Sequence, residues 1–225
     1  MSNLLSLSSI TKKIWMSLMG LFLVTFMLVH LTINLLLLFD TTRELYNVAA
    51  HFMGTNPIIQ IFQWVLFAGF IGHIILGVIL QMQNWMARPN AYKVKPTSDQ
   101  SFFSRFMIHT GVIMFVFLVI HLGNFFVKAK FTHEVDEFIL NGVATGMEDM
   151  GIVVVELFQL PVYVVFYIIA LLILGFHLDH GIQSAFQSLG LNHKKYTPFI
   201  KGLGRFLAIV ITLGYISIPL VIYFN

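Results

Sequence analysis

The 225-residue chain contains no cysteine. That rules out a disulfide, a thiolate-ligated iron–sulfur cluster and a covalently tethered haem within it. Charge is scarce: Asp, Glu, Lys and Arg together make up 10% of the residues, under half of the roughly 25% usual in soluble domains. Low-complexity tracts and a separate soluble domain are missing as well. What fills the chain is hydrocarbon: 58% of residues are hydrophobic and the mean hydropathy is +0.86. Several apolar runs exceed the roughly 20 residues that cross about 30 Å of bilayer as a helix. The fold class expected is an all-α integral membrane protein forming a single membrane domain over residues 1–225. Its spans fall at about 14–38, 58–82, 106–127, 157–182 and 203–224. The opening "MSNLLSLSSITKK" is read as a retained cytoplasmic lead-in, because the apolar run after it is too long for a cleavable signal and no small-residue cleavage site closes it.

The net charge of +3 and the pI near 9.2 do not indicate a nucleic-acid partner, because the basic residues are sorted by side. With the N-terminus inside, Lys12, Lys13, Arg88, Lys93, Lys95, Arg105, Lys194, Lys195, Lys201 and Arg205 are cytoplasmic, and only Arg43, Lys128 and Lys130 are outside. This is the asymmetry that orients membrane proteins. Acidic residues reverse it, with only Asp99 and Asp179 on the cytoplasmic side. Pro57 and Pro161 stand where spans begin, a position that tolerates a missing N–H. The outer connection from about 129 to 156 is long and acidic, and is either a cover over a site or disordered.

His30, His73, His121 and His177 fall one in each of the first four spans. His30 lies 17 residues after Lys13 and His121 lies 16 after Arg105; His73 and His177 lie 16 after Pro57 and Pro161. At 1.5 Å per residue each ring sits roughly 24–26 Å from its helix entry. Since the helices alternate in direction, His30 and His121 reach the outer level and His73 and His177 the inner one, on the order of 15 Å apart. His73 and His177 share the pattern H-x-x-x-G, with Gly77 and Gly181 one turn later; His30 and His121 follow Gly20 and Gly111 by ten residues and are each followed by Leu and then Asn. Glycines at such points leave room for a flat group beside the helix. One intramembrane histidine often just bonds to a neighbouring helix. Four, matched in depth and pattern, point to two stacked bis-histidine haems. A zinc or proton-transport site would gather its ligands at one height. Two imidazoles on one iron leave no open position, which suits electron transfer rather than oxygen binding.

The stretches "KKIWMSLMGLFLVTFMLVHLTINL", "HIILGVIL", "HTGVIMFVFLVIHLGN" and "FHLDHGIQSAFQSLGLNHKKYTP" resemble the dihaem cytochrome b membrane anchor of the succinate dehydrogenase/fumarate reductase (complex II) family. The resemblance is to the single-subunit five-helix type in its Bacteroidetes-like branch, and it covers almost the whole chain. It implies that the first four helices form a haem-binding bundle. His73 and His177 would hold the proximal haem b, and His30 and His121 the distal one. It implies a flavoprotein subunit, which carries the succinate/fumarate chemistry, and an iron–sulfur subunit, both on the cytoplasmic side. A quinone, menaquinone by expectation, would exchange electrons near the outer face, in a bacterial cytoplasmic (inner) membrane. A higher oligomer of the complex is compatible with it. Some family members carry a glutamate two residues before the last ligand as a proton path; here that residue is Gly175, which leaves no side chain for such a relay. The runner-up is a cytochrome b anchor of another membrane oxidoreductase, such as a hydrogenase or formate dehydrogenase.

Further candidates are weaker in pattern. Ser17, Arg105, His109 and His180 lie at the height of the proximal haem propionates; the alternatives for His180 are an interfacial cap or a contact to the iron–sulfur subunit. Asp179 is read as interfacial, holding a ring or a basic partner. In "TTRELYNVAAHFMGTNP", Glu44 and His51 are candidates for taking protons beside a quinone, with Asn47 as a hydrogen-bonding neighbour; the alternative is a solvated loop helix. His133 and His193 fall in loops as surface residues. Trp15, Trp64 and Trp85 fit anchoring at the membrane interfaces among lipid.

Overall fold

A computed structural model describes residues 8–87, 106–132 and 134–225. The chain is an all-α, multi-pass membrane protein, and 82% of its described residues are helical. Among the described residues five helices are long and apolar enough to cross a bilayer. They are α1 (Ser9–Phe39), α3 (Pro57–Met86), α4 (Met107–Leu122, continued by a π-helical stretch Gly123–Thr132), α6 (Pro161–Ser188) and α7 (Thr197–Phe224). Two short helices, α2 (Glu44–Thr55) and α5 (Met150–Phe158), lie in the connections, together with a hairpin of β1 (Glu137–Leu140) and β2 (Val143–Glu148).

Local chemistry sets the ends. Ser8 caps α1, its Oγ accepting from Thr11 N at 3.2 Å. Asn56 caps α3, its Oδ1 accepting from Ile58 N at 2.9 Å, and Pro57 takes the first helical position. Pro161 does the same for α6. The fourth span therefore starts at Pro161 and not near residue 157: residues 157–158 close α5, and a turn at 159–160 separates the two helices. It also runs past 182 to Ser188, because nothing breaks it before Gly190. That residue takes φ +79°, while Leu191 N donates to Phe186 O at 3.1 Å and Gly190 N to Gln187 O at 3.1 Å. This is the glycine-terminated helix end in which a left-handed residue returns two N–H groups to orphan carbonyls.

Over its described residues from Glu134, the acidic connection between α4 and α6 carries the hairpin and α5. Asn141 and Gly142, both at positive φ (52° and 79°), make the two-residue turn between β1 and β2. The buried ring of Phe138, 1% exposed, anchors the hairpin from below.

Helix α1 is central, packing on α3, α6 and α7, while α6 holds α7 along its length and carries α4 on its other side. Close approach depends on glycine at two contacts. A Cβ at Gly175 would lie 2.5 Å from Thr212 Oγ1, and one at Gly214 would lie 2.8 Å from Leu31 Cδ2. One core cluster (Leu31, Leu37, Tyr46, Val154, Phe158, Val164, Tyr167, Ile218, Ile222) lies toward the hairpin end; a second (Leu178, Ile182, Ala208, Ile211) lies toward the opposite, basic end. There Lys12, 2% exposed, ties α1 to α3 through Gln83 Oε1 at 3.1 Å.

Candidate functional site

The four intramembrane histidines meet in two pairs. His73 on α3 and His177 on α6 have ring centres 6.4 Å apart, with planes at 67°. His30 on α1 and His121 on α4 are 5.9 Å apart, at 87°. Each pair joins helices that run in the same direction, α3 with α6 and α1 with α4.

The glycines place the pairs at two levels. A Cβ on Gly20 would lie 3.4 Å from His73 Cε1, and one on Gly111 would lie 3.9 Å from His177 Cε1. Gly20 precedes His30 by ten residues on α1, and Gly111 precedes His121 by ten on α4. Two separate helices thus give the same offset between pairs, about 15 Å along the axis. The later glycines differ: Gly77 faces Met16 Cε, 3.4 Å from a Cβ, whereas a Cβ at Gly181 would meet open space.

Ring packing alone allows such centre distances; the nitrogens say more. His73 Nδ1 and His121 Nδ1 are buried without a hydrogen-bond partner, one in each pair. An orphaned buried polar atom costs about 1–3 kcal/mol, so each pair contains a ring whose hydrogen bonding its surroundings do not complete. Two imidazoles bonded head-on to one metal ion, each nitrogen about 2.0 Å from it, have ring centres about 6.3 Å apart. Both pairs lie close to that value.

No family model, curated protein or solved structure matches the chain. The site therefore rests on its own geometry.

His177 Nδ1 lies 3.0 Å from Thr110 Oγ1, whose hydroxyl also lies 2.9 Å from the Met107 carbonyl. The sequence reading passed over Thr110, although it stands beside Gly111 in the quoted "HTG". Around His30 and His121 the surroundings are aromatic. Phe26 stacks on His30 at 5.3 Å, Phe117 and Phe125 flank His121 at 5.7 and 5.1 Å, and Tyr215 lies 6.1 Å from His30. The two asparagines after these histidines have different tasks. Asn34 Nδ2 donates to the His30 carbonyl at 2.8 Å, whereas Asn124 Nδ2 donates to Tyr167 Oη at 3.2 Å.

Among the propionate candidates, Ser17 is buried and spends its hydroxyl proton on the Lys13 carbonyl at 2.8 Å. His109 is exposed, with Phe106 5.6 Å away. His180 is half-buried. Arg105 lies outside the described residues, as does His133. Asp179 accepts from Gln183 Nε2 at 2.7 Å and pairs with Arg205 at 3.6 Å. His193 Nδ1 accepts from the backbone of Lys195 at 3.2 Å. Trp15, Trp64 and Trp85 are all exposed.

The quinone candidates separate. Glu44 and His51 are exposed on α2, but Asn47 is 0% exposed and turned into the protein. Its Nδ2 donates to Asp149 Oδ1 at 2.8 Å, and its Oδ1 accepts from Gly151 N at 2.8 Å. Asn47 is thereby committed to the fold and is not a free neighbour of Glu44 and His51. Asp149 is the hub of this region, and the sequence reading missed it. It caps α5 through Ile152 N at 2.9 Å and takes two bonds from Arg43, Nε at 3.3 Å and Nη2 at 2.8 Å. Burial alone would raise the Asp149 carboxyl, but its bonds to Arg43, Asn47 and Ile152 N–H outweigh that and hold it below the ordinary carboxylate range. The same contact raises Arg43. Beside them, burial pushes the Tyr46 phenol up to about 12.

Proposed function

We propose that the chain is the membrane anchor and electron-transfer subunit of a succinate:quinone oxidoreductase, holding two b haems, each between two histidines. The observation that carries this reading is the pairing of four imidazoles in twos, His73 with His177 and His30 with His121, at two levels about 15 Å apart. Resemblance to the complex II cytochrome b anchors in the stretches around these histidines supports it. Bound haem would supply reversible one-electron transfer at each level.

The chain's own residues do the rest. His73 and His177 would hold the group nearer the basic end, and His30 and His121 the group nearer the hairpin. Phe26, Phe117, Phe125 and Tyr215 keep water from the second pair. The N-terminus is cytoplasmic in this reading, in a bacterial inner membrane, with the flavoprotein and iron–sulfur subunits docked on the basic side. Menaquinone would exchange electrons near the hairpin end. Zinc fits less well, because a zinc site uses three or four protein ligands and these imidazoles come in twos.

The test is a reduced-minus-oxidised spectrum of the purified complex with a subunit gel. The expected result is b-type bands, about two haems per chain, and co-purifying flavoprotein and iron–sulfur subunits. His177→Ala should lose one haem. Retention of both haems in that variant, or co-purification with a molybdenum or nickel enzyme, would overturn the assignment.

A further inference from the structure

We propose that Thr110 is a positioning residue that fixes His177 as the Nδ1–H tautomer, leaving the lone pair on Nε2. The inference rests on the reading of His177 as an axial ligand for its consequence, but not for its geometry. Thr110 Oγ1 has one proton and two neighbours, the Met107 carbonyl at 2.9 Å and His177 Nδ1 at 3.0 Å. A carbonyl can only accept, whereas a neutral imidazole nitrogen either donates or accepts. Both bonds form together only when Thr110 donates to Met107 and His177 donates to Thr110. In the opposite arrangement one hydroxyl proton serves a single bond, the Met107 contact is lost, and the ring proton moves to Nε2. Inside a membrane, where water offers no substitute, the two-bond arrangement is favoured by the hydrogen bond it keeps.

Two of the other rings lack this device. His73 Nδ1 and His121 Nδ1 are buried and unpartnered. His177 is therefore the anchored member of the inner pair, with its Nδ1 side fastened to the first turn of α4, and His73 is the member free to adjust. A hydrogen bond on the far nitrogen raises the basicity of a ligating imidazole, and loss of such an outer partner typically weakens metal binding 10–100-fold. Sequence spacing supports a direct role for this turn: Thr110 adjoins Gly111, the residue packed on the same ring at Cε1.

The test uses the full chain in detergent, ¹⁵N-labelled at histidine, with the His177 signals assigned by their loss in His177→Asn. Before any haem is added, wild-type His177 should show a protonated Nδ1 and a bare Nε2. Thr110→Val, nearly isosteric, should shift the ring toward the Nε2–H tautomer, and Thr110→Ser should restore it. Titration with haem should then show one of two sites weakened about 10–100-fold in Thr110→Val and recovered in Thr110→Ser. A wild-type ring protonated on Nε2, or a tautomer unmoved by Thr110→Val, would overturn the inference. If the tautomer moves as expected while no variant binds haem, the inference stands and the proposed function falls.

Discussion

Gly20 on α1 lies against the ring of His73 on α3, so close that a Cβ at position 20 would sit 3.4 Å from Cε1 and 3.7 Å from Nδ1. One methyl group would just fit, at ordinary van der Waals contact. Anything longer would reach the ring.

Gly20→Ala should therefore fold and keep the His73–His177 pair, whereas Gly20→Leu should push His73 off its partner. Under the proposed function, the leucine variant loses one of the two b-type signals and keeps the other, as read by haem content per chain. Equal spectra for the two variants would show that the ring position does not depend on this contact.

Asp149→Ala removes the acceptor shared by Arg43, Asn47 and Ile152 N–H. A nearly buried, charge-assisted hub of this kind should be worth about 2–4 kcal/mol to the hairpin and α5. The loss is expected to be local, exposing the connection from Glu134 to Phe158 to protease while the five spans stay helical by circular dichroism. Arg43→Ala should act in the same direction and add less when combined with Asp149→Ala, since both remove the two Arg43–Asp149 bonds.

The same carboxylate sets a pH dependence. Its folded value is depressed by Arg43, Asn47 and Ile152 N–H against the opposing effect of burial, so its contribution is fully present above the unfolded value, about 3.9, and is lost as pH falls through the folded value beneath it. Hydrogen exchange in β1, β2 and α5 should stay slow from neutral pH down to about 5 and quicken below about 4. Asp40, whose carboxyl is also lowered, chiefly by Thr42 and the Leu45 N–H, acts in the same sense. Asp149→Asn should therefore flatten most, not all, of the dependence.

Gly175→Ala should destabilise the α6–α7 contact by about 1–3 kcal/mol, the usual cost of overpacking, because the added Cβ would meet Thr212 Oγ1 at 2.5 Å. Removing the obstacle with Thr212→Ala should recover much of the loss, read as melting temperature in detergent. Additive losses in the double variant would rule out this contact as the cause. The geometry also bears on a relay at this position: a glutamate here would collide with α7.

Much of the architecture was legible in order and type. The five apolar runs, Pro57 and Pro161 at helix starts, and one histidine in each of four spans needed only hydropathy, proline chemistry and counting. The connection between α4 and α6 was less so. Its Asn141–Gly142 pair is a recognisable hairpin signal, but the surrounding acidic residues masked it. Asp149 looked like one more surface charge, because its partners Arg43 and Asn47 are more than a hundred residues away in sequence. Thr110 looked like one more small residue on an apolar face.

By itself, then, the sequence determined that the chain carries five runs long and apolar enough to cross a membrane, four of them with a histidine at one of two depths, since hydrocarbon thickness and helical rise act on each span separately. Only the tertiary structure decided which rings meet, that Gly20 serves His73 and Gly111 serves His177, and that Asn47 is spent on Asp149. Those are contacts between helices, set by which faces pack together. A residue's partner across a bundle is not encoded in its distance along the chain.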